Sequence, residues 1–281
     1  MGLSTDTSEP PHRAKGFTLL EGGARDPLFV ESLAKGLAVL EAFYDESDSL
    51  GLSEIAAKTG LGKSAAQRFC HTLGKLGLLE KDERSRRLRP SRRLLDFSFM
   101  FLHGNPLVAI ATPFVVRLHE EVGEATNFAL PIDTDVMYVI RLPSPDSPVP
   151  NPAIGGRAPM FCTASGRAYL SALDAAAAMA LIDASDRKSL TPRTITDREA
   201  ILQRVAEGRE SGYTLADQEC ITGELTVAAP VRGRDSMPMG AINICVSTPT
   251  WSIAQVRSKL APKVTRAALD ISRALGVGTA G

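Results

Sequence analysis

The chain has 281 residues, of which 44% are hydrophobic and 23% are charged, and its formal net charge is zero. This length suits about two domains of ordinary globular composition. No apolar run approaches the ~20 residues that a membrane span needs, so the sequence predicts no membrane segment and a cytoplasmic location.

The first 25 residues and the cysteines exclude two further classes. Residues 1–25 lack the apolar core of a signal peptide and are predicted to be a disordered tail. The cysteines Cys70, Cys162, Cys220 and Cys245 are scattered, without a C-x-x-C pair. This pattern indicates a reducing compartment and offers neither a disulfide framework nor a zinc site. We therefore expect no metal and no cofactor.

The next segment predicts two helices. Leu33, Leu37 and Leu40 recur at helical spacing and predict an amphipathic first helix. A short second helix, SEIAAKT, is expected to be capped by Ser53 and stopped by Gly60.

A third helix, predicted from Ser64 to Leu76, has one apolar and one polar side. Phe69, Leu73 and Leu76 share the apolar side. The opposite stripe consists of hydrogen-bond donors and cations: Ser64, Gln67, Arg68, His71 and Lys75. Two short helices joined by a glycine-containing turn predict a helix-turn-helix. An alternative role for Gln67 is a capping box with Ser64.

The segment that follows is strongly basic. Residues 77–90, GLLEKDERSRRLRP, are typical of two short strands around an arginine-rich turn, or wing. Between Leu52 and Arg93 there are eleven Lys or Arg and four acidic residues, a local excess of seven positive charges. Such a segment in an otherwise acidic chain indicates a nucleic-acid-binding face, with a solvated surface as the alternative.

The polar stripe and the wing are assigned different contacts with double-stranded DNA. Four residues of the stripe are predicted to reach base edges in the major groove: Ser64, Gln67, Arg68 and His71. Cations that flank the stripe or lie in the wing are predicted to contact phosphates: Lys63, Lys75, Arg84, Arg86 and Arg87.

A competing interpretation concerns AKTGLGKS, residues 57–64, which match a relaxed phosphate-loop pattern. A phosphate loop follows a buried β-strand, so that its backbone N–H groups surround the phosphates. Here the preceding segment is helical in pattern and contains Glu54 and Lys58. The one candidate magnesium-binding run, AMALID, lies in an alanine-rich stretch that favours helix. We therefore assign Gly62 and Lys63 to a turn.

The second half of the chain predicts an α+β domain behind a linker helix. Residues 92–103, RRLLDFSFMFLH, form an amphipathic helix that Asn105 and Pro106 interrupt, and residues 107–122 form another. Four later segments have strand patterns: ATNFALPI, DVMYVIRL, LTVAAPVR and MGAINICV. They are expected to alternate with helices at 167–173, 175–183, 198–211 and 252–275. An antiparallel sheet with helices packed on it is the natural arrangement.

Catalysis has one candidate set, a Cys162 nucleophile with His119 or His103 as its base. Neither histidine has an orienting carboxylate at a fixed spacing. The chain also has no G-x-S-x-G elbow and no H-E-x-x-H motif. We predict that the protein is not an enzyme.

Several motifs together resemble the IclR family of bacterial transcription regulators. They are ESLAKGLAVLEAF, LSEIAAKTGLGKSAAQRFCHTLGKLGLL, VGEATNFAL, YVIRLPS, IGGRAPMFCTASGRAYL, TPRTIT, GYTLADQE and TVAAPV. The resemblance spans Asp26 to Gly276 in order, and departs from the family pattern in the wing, where this chain has RRLRPSRR. Within the family, the chain looks most similar to regulators of aromatic-acid catabolism, such as those answering protocatechuate or 4-hydroxybenzoate.

The resemblance implies a domain plan and partners. It implies a winged helix-turn-helix at 26–90, a linker helix at 91–106, and a GAF-like or profilin-like effector-binding domain at 107–281. It also implies a homodimer or homotetramer that pairs through the linker region. We expect a ligand-responsive regulator that binds operator DNA and senses a small carboxylate, with an aromatic acid as the candidate class. The alternative is a small-molecule sensor whose helix-turn-helix serves mainly protein–protein assembly.

The resemblance also implies where a small acid binds. The backbone amides of Ala164 and Ser165, at a helix start, would hold its carboxylate. Residues carried over or added around this helix start are Arg157, Met160, Phe161, Thr163, Asp217, Thr226, Asn243 and Cys245. Many family members have an aspartate where this chain has Ala216, which suggests a less hydrophilic effector.

Structural roles remain open for several of these effector residues. Met160, Thr226 and Cys245 also fit the core of a sheet. Arg157 fits a structural or interface role, and Thr163 and Ser165 fit simple helix caps.

Overall fold

The computed structural model describes residues 27–44, 49–144 and 153–276. The predicted disordered tail, residues 1–25, lies outside the described residues. Within them the chain divides into two compact units, an N-terminal unit that ends at residue 101 and a C-terminal unit that begins at residue 102. The division falls inside the predicted linker helix.

The N-terminal unit consists of helices and one small hairpin. Its elements are α1 (Glu31–Glu41), α2 (Leu52–Thr59), α3 (Lys63–Lys75), β1 (Leu79–Lys81), β2 (Leu88–Pro90) and the first part of α4 (Leu94–Gly104). The two strands pair antiparallel, with Glu80 opposite Arg89. This confirms the predicted winged helix-turn-helix. The core of the unit is shared by the three helices and the hairpin through Val39, Ile55 and Leu73.

The apolar faces of α1 and α3 differ from the prediction. On α1, Leu33 is 64% exposed, whereas Val39 is fully buried. On α3, Leu76 is 54% exposed, and the buried residues include Ala66 and Cys70 in addition to Leu73. Helical periodicity predicts which residues share a side, but the packing of neighbouring helices decides how much of that side is covered.

The predicted helix starts need correction as well. Ser53 does not cap α2, because the helix begins one residue earlier with Gly51 as its N-cap. The free N–H of Gly51 is instead satisfied by the Glu54 carboxylate at 2.6 Å. Similarly, α3 begins at Lys63 after an N-cap glycine, so Ser64 lies inside the helix and forms no capping box with Gln67. The stop at Gly60 is confirmed, since this residue is left-handed at φ 69°.

The C-terminal unit is built on a six-stranded antiparallel sheet, which confirms the predicted α+β class. Its strands lie in the order β5-β4-β3-β8-β7-β6. They span Ala125–Ile132 (β3), Asp135–Leu142 (β4), Arg157–Pro159 (β5), Thr214–Asp217 (β6), Glu224–Arg232 (β7) and Pro238–Ser247 (β8). The four long strands match the predicted segments to within a residue or two at each end. The short strands β5 and β6 were not predicted, because three or four residues cannot display a clear alternation.

Helices cover both faces of this sheet. They are α5 (Pro106–Val122), α6 (Ala164–Ala172), α7 (Ala175–Ala184), α8 (Arg198–Ser211), α9 (Ile253–Gln255), a π-helical turn (Val256–Leu260) and α10 (Ala261–Ala274). Along β7, Val227 and Ala229 pack with α5 and α10, whereas Ala228 between them packs with α6. Alternate residues of one strand therefore fill two separate cores. Helix α6 begins at Ala164, as the expected helix start at Ala164 and Ser165 requires, and therefore three residues before the predicted range 167–173.

The described ranges contain no single helix that is long and apolar enough to cross a membrane. Only α4 and α5, taken together as a bent pair, reach that length and composition.

Candidate nucleic-acid interface and ligand cavity

Helix α3 presents the predicted polar stripe to solvent. Because Ala66, Cys70 and Leu73 anchor one side of the helix in the core, the opposite side faces outward. All six residues predicted on this helix are exposed: Lys63, Ser64, Gln67, Arg68, His71 and Lys75. The helix therefore carries donors and cations along one continuous outer face.

The stripe and the wing border one open cleft of about 690 Å³. Its polar lining includes Ser64, Gln67, Arg68, His71, Lys75, Lys81 and Arg86. Residues of α3 and of the hairpin can thus contact the same extended anionic partner. Lys81 is a contributor that the sequence analysis missed, although its place in a basic hairpin is a signal for it.

The turn of the wing is ordered by a single aspartate. Asp82 Oδ1 accepts hydrogen bonds from the backbone N–H of Ser85 at 2.6 Å and from its hydroxyl at 2.7 Å. Arg86 follows in the left-handed region, at φ 62°. Arg84 and Arg86 are exposed at the tip, where the prediction placed cations.

Arg87 differs from the other wing arginines. Its guanidinium donates to the backbone oxygen of Ser49 at 2.6 Å, to the Ser49 hydroxyl at 3.0 Å and to Glu54 Oε2 at 2.8 Å. These bonds tie the wing to the start of α2. Arg87 therefore holds the hairpin in place, a role that the run RSRR does not reveal.

In the C-terminal unit, the start of α6 supplies free amides. Thr163 is the N-cap: its hydroxyl donates to Pro159 O at 2.7 Å and accepts from Gly166 N–H at 3.1 Å. Both functions of this hydroxyl are therefore used, as the cap alternative expected. The N–H groups of Ala164 and Ser165 have no hydrogen-bond acceptor among the described residues, and the helix dipole adds partial positive charge there.

A small cavity of about 40 Å³ lies beside this helix start. Five of the predicted effector residues line it: Arg157, Thr163, Ala164, Thr226 and Cys245. Its wall also includes Tyr138, Arg141, Ala158, Ala216, Gln218, Glu219, Cys220, Ile221 and Glu224. The structure thus brings half of the predicted set together around one space.

The other predicted effector residues lie outside this cavity. Met160 and Phe161 are fully buried in the core shared with α7 and α8, so they are packing residues in this structure. Asn243 is buried on β8, and its amide donates to Cys245 Sγ at 3.1 Å. Ser165 is fully buried, and its hydroxyl has no partner among the described residues.

Asp217 points to a different cleft. Its carboxylate pairs with Arg193 at 2.5 Å, on the side of β6 away from the cavity lining. The neighbouring Ala216 faces the cavity instead. The carboxylate that many family members place here is therefore not replaced by Asp217.

Arg141 is the cavity residue that the sequence analysis missed. Its Nε and Nη1 atoms are buried without a hydrogen-bond partner among the described residues. The guanidinium lies over the Tyr138 ring, 4.4 Å from the centroid, and burial lowers its pKa from the ordinary value. A cation near the end of the strand DVMYVIRL, after five apolar residues in a row, was the available signal. Buried charges without partners are costly, so this group is suited to an anion.

Two further charged groups contribute to the cavity. Arg157 Nε has no partner in the described part of the chain, and its Nη1 lies 3.6 Å from Asp133 Oδ2. Burial raises the pKa of the Glu224 carboxyl, which accepts a hydrogen bond from Thr226 at 2.9 Å. The cavity therefore combines two arginines with one glutamate whose ionisation is disfavoured.

None of the residues considered for catalysis lines this cavity. Cys162 is fully buried, and a hydrogen bond to Cys220 together with burial raises its pKa well above the usual range. His119 bonds the backbone oxygen of Glu124 at 2.9 Å. Within the described ranges, no group of three or more His, Cys, Asp and Glu could hold a metal ion.

Comparison with known proteins decides the family. Residues 32–83 match the IclR helix-turn-helix domain, and residues 99–273 match the bacterial transcriptional regulator IclR C-terminal domain. The chain belongs to the IclR family. It is therefore a transcriptional regulator with an N-terminal DNA-binding domain and a C-terminal effector domain, which confirms the resemblance seen in the sequence.

Several IclR proteins are similar over nearly the whole chain. The Pca regulon regulatory protein of Pseudomonas putida is 28% identical over 95% of this chain and 91% of its own length. The p-hydroxybenzoate hydroxylase transcriptional activator of Acinetobacter baylyi is 32% identical over 81% and 87%. A solved structure from Rhodococcus sp. RHA1, assigned as a transcriptional regulator, is 30% identical, with a TM-score of 0.77 over 88% of this chain and 98% of that one.

Proposed function

We propose that α3 and the wing bind operator DNA with a division of labour. Ser64, Gln67, Arg68 and His71 read base edges in the major groove, and Lys63, Lys75, Arg84 and Arg86 contact phosphates. The observation that carries this assignment is the single outer face of α3, which borders the same cleft as Arg86 of the wing. Arg87 supports the wing through Ser49 and Glu54.

The effector in this proposal is a small carboxylate held in the cavity beside α6. Its carboxylate pairs with Arg141 and accepts a hydrogen bond from the N–H of Ala164, which lines the cavity, whereas Ser165 does not line it. The observation that carries this proposal is Arg141, a cation in the cavity wall with two nitrogens that lack partners among the described residues. Tyr138 offers an aromatic surface next to this guanidinium.

An aromatic acid is the class of effector that we favour. Two relatives are named for the Pca regulon and for p-hydroxybenzoate hydroxylase. Ala216 and Tyr138 make part of the wall apolar. A buried water needs about 10–15 Å³ of such space, so a cavity of about 40 Å³ must widen to admit an aromatic ring.

We further propose that the protein acts as a homodimer or homotetramer that pairs through α4. Leu95, Phe97, Met100 and Phe101 on this helix are between 48% and 66% exposed. Exposed large apolar side chains concentrated on one helix are typical of a protein–protein interface. DNA is the partner of the assembly, which therefore acts in the cytoplasm.

The proposed role is binding without turnover. Incubation of the protein with a candidate acid, followed by chromatography, is expected to recover the acid unchanged. Loss of the acid at a rate proportional to protein concentration would contradict a purely regulatory role.

The test is fluorescence anisotropy of the purified full-length protein on DNA from upstream of its own gene. Titrations run across a salt series, with and without 4-hydroxybenzoate or protocatechuate. Saturable binding tighter than to random DNA, shifted by either acid, is the expected result. Binding to specific and random DNA alike would favour the protein–protein assembly role for the helix-turn-helix. Specific binding that ignores both acids would exclude the proposed effectors and leave the DNA assignment intact.

A further inference from the structure

Two thiols lie side by side next to the effector cavity. Cys162 immediately precedes the N-cap of α6 and is fully buried, whereas Cys220 is partly exposed and lines the cavity. Cys220 packs against the buried apolar cluster that contains Cys162, and Arg167 bonds the chain neighbour of each cysteine. Neither cysteine forms a disulfide in this structure. No step of the proposed regulation uses this pair.

Cys220 belongs to a short connection that covers the cavity. The connection, residues 218–223 between β6 and β7, is called the cavity loop here. Four of its residues line the cavity: Gln218, Glu219, Cys220 and Ile221. It has a left-handed residue at each end, Gln218 at φ 57° and Gly223 at φ 84°. Such residues are common at the ends of segments whose backbone changes direction sharply.

One arginine connects the cavity loop to the segment that carries Cys162. Arg167 is fully buried and donates to both carboxylate oxygens of Glu219 at 2.6 Å. Its Nε also donates to Phe161 O at 2.8 Å. Glu219 and Phe161 are the chain neighbours of Cys220 and Cys162. Arg167 therefore holds the cavity loop and also fixes the position of one cysteine relative to the other.

The size of the cavity makes the position of this loop functionally important. Space for a few water molecules becomes space for an aromatic acid only if part of the wall moves. The cavity loop supplies four wall residues and is held through Glu219, which Arg167 and the segment 191–195 bond. The helix α6 and the strands supply the rest of the wall from regular elements of the core, so the loop is the part that can move. Movement of the loop would separate Cys220 from Cys162, and a bond between them would prevent that movement.

We infer that Cys162 and Cys220 are a redox-sensitive dithiol, and that its oxidation to a disulfide locks the cavity loop over the effector cavity. The oxidant is a peroxide. The Cys220 sulfur attacks the O–O bond, which breaks with release of water or an alcohol and leaves a sulfenic acid. The Cys162 sulfur then attacks the Cys220 sulfur, an S–S bond forms, the S–O bond breaks, and the oxygen leaves as water with the Cys162 proton.

This order of events follows from the exposure of the two residues. Cys220 meets the oxidant first because it lines the cavity, whereas Cys162 is sealed in the core. The neighbouring Cys220 and burial raise the pKa of the Cys162 thiol, which makes it a poor sensing group. Its position beside Cys220 makes it the resolving thiol, and its proton leaves as the S–S bond forms. The effect on ligand binding rests on the proposed effector site, but the formation of the disulfide does not.

Peptide mapping of the full-length protein tests the bond itself. The reduced protein is treated with hydrogen peroxide, blocked with N-ethylmaleimide, digested without reductant and analysed by mass spectrometry. The expected product is a peptide pair joined through Cys162 and Cys220, with a mass about 2 Da below the sum of the two thiol peptides. Cys220→Ser and Cys162→Ala should abolish it, and Cys70→Ser should leave it intact.

Other products would overturn the inference. Oxidation that stops at the sulfinic acid of Cys220, or a bond from Cys220 to Cys245, would show that Cys162 does not resolve the reaction. If Cys162→Ala fails to fold, Cys220→Ser alone decides the point, because this residue is partly exposed and outside the core.

Hydrogen exchange tests the lock without any ligand. The amides of residues 218–223 should exchange about tenfold more slowly in the oxidised protein than in the reduced one, and dithiothreitol should reverse the change. Equal exchange in both states would overturn the lock even if the disulfide forms. Binding of 4-hydroxybenzoate or protocatechuate should slow by the same factor. If neither acid binds the reduced protein, the proposed effector class fails while the exchange result still stands.

Discussion

At the scale of single residues, Arg141 shows how the proposed binding site would lower the stability of the free protein. A guanidinium with two buried nitrogens that lack partners among the described residues is unfavourable until an anion arrives. The stacking on Tyr138 offsets only part of that cost. Stability and ligand binding should therefore respond in opposite directions to its removal.

Arg141→Met is expected to stabilise the free protein and to abolish effector binding. Replacing a buried cation by an apolar side chain of similar length should raise the free energy of unfolding by about 1–2 kcal/mol. Urea unfolding and calorimetry with 4-hydroxybenzoate measure the two effects. Arg117→Met is the matched control, because Arg117 lies 5.0 Å over the Phe114 ring but is exposed. A variant that loses stability and still binds the acid would contradict this role for Arg141.

Glu224 adds a dependence on pH. Its folded-state pKa is raised, chiefly by burial, so its ionisation destabilises the native state once the pH exceeds the ordinary glutamate value of about 4.3. Glu224→Gln keeps the acceptor for Thr226 and removes this penalty. The gain in unfolding free energy should be small below about pH 4 and should grow as the pH rises through the raised pKa. Urea unfolding of both proteins at a series of pH values, from below about pH 4 upward, measures this gain in unfolding free energy.

Glu120→Gln on the exposed face of α5 is the matched control for Glu224→Gln, and it should change the pH profile little. A Glu224→Gln gain that is equal at all pH values would show that the carboxyl is not the titrating group. Because an anionic ligand also disfavours ionised Glu224, acid binding to the natural protein should take up protons. Calorimetry in buffers of different ionisation enthalpy would detect that uptake.

At the scale of elements, α6 is held against the chain that precedes it. A Cβ placed on Gly166 would lie 2.2 Å from the Cα of Met160 and 2.4 Å from its carbonyl oxygen. Neither backbone atom can move like the end of a flexible side chain. This close approach fixes the first turn of the helix, at the point where Thr163 and Ala164 line the cavity.

Gly166→Ala is therefore expected to lower the free energy of unfolding by about 1–3 kcal/mol or more and to weaken acid binding. Thermal unfolding and calorimetry measure the two effects. Gly104→Ala at the end of α4 is the control, since nothing lies within 4 Å of its added Cβ and its backbone is not left-handed. That variant should be neutral or slightly stabilising. Equal changes in unfolding free energy and acid binding for both variants would show that the contact between Gly166 and Met160 does not hold the start of α6.

In the wing, one substitution separates the effect of a charge on DNA binding from the effect of backbone strain on stability. Arg86 is left-handed at φ 62°, a conformation that glycine adopts without the penalty of a side chain. Arg86→Gly should therefore raise the stability of the N-terminal unit by about 1 kcal/mol. It should also lower affinity for specific and random DNA alike, and flatten the salt dependence by about 0.9 log units per log unit of salt.

Anisotropy across a salt series and thermal unfolding measure these effects for Arg86→Gly. Arg89→Gly is unsuitable as a control because Arg89 pairs with Glu80 in the hairpin. Lys188→Gly removes an exposed charge of the C-terminal unit together with its ion pair to Asp186, outside the hairpin, and it should leave DNA affinity unchanged. If Arg86→Gly leaves the slope of affinity against salt concentration unchanged, the wing is not part of the DNA interface.

Long elements were predictable from the sequence, and the cavity was only partly so. Strand β4 was read correctly as DVMYVIRL, because eight residues display their β-preference clearly. That pattern does not report that Arg141 would lack a partner, since this depends on what β5 and the cavity loop place around it. Met160 and Phe161 illustrate the reverse error: they are near the helix start in sequence, but the turn before α6 directs them into the core.

At the scale of the whole molecule, charge and apolar surface are unevenly distributed. The seven excess positive charges between Leu52 and Arg93 lie in the N-terminal unit, whereas the net charge of the chain is zero. The exposed apolar residues of α4 follow directly after this basic segment. Pairing through α4 would join two basic units and hence two DNA contacts in one assembly.

Phe97→Glu is expected to weaken that assembly. Placing a charge at the centre of an apolar interface should raise the dissociation constant of the dimer by about tenfold or more. Sedimentation across a concentration series measures it, and specific DNA affinity should fall in parallel. Leu269→Glu is the control, because Leu269 is 52% exposed on α10, close to the 54% of Phe97. Unchanged sedimentation of Phe97→Glu would exclude α4 from the interface.

The bonds of Arg87 have a consequence for how such regulators diverge. Arg87 holds the hairpin to α2 through Ser49 and Glu54, so the geometry of the fold does not depend on the side chains that project from α3. Those side chains are exposed, and exchanging an exposed side chain usually changes stability by less than about 0.5 kcal/mol. If these side chains read the operator as proposed, mutation can alter the preferred operator one position at a time, without first having to re-establish a folded protein.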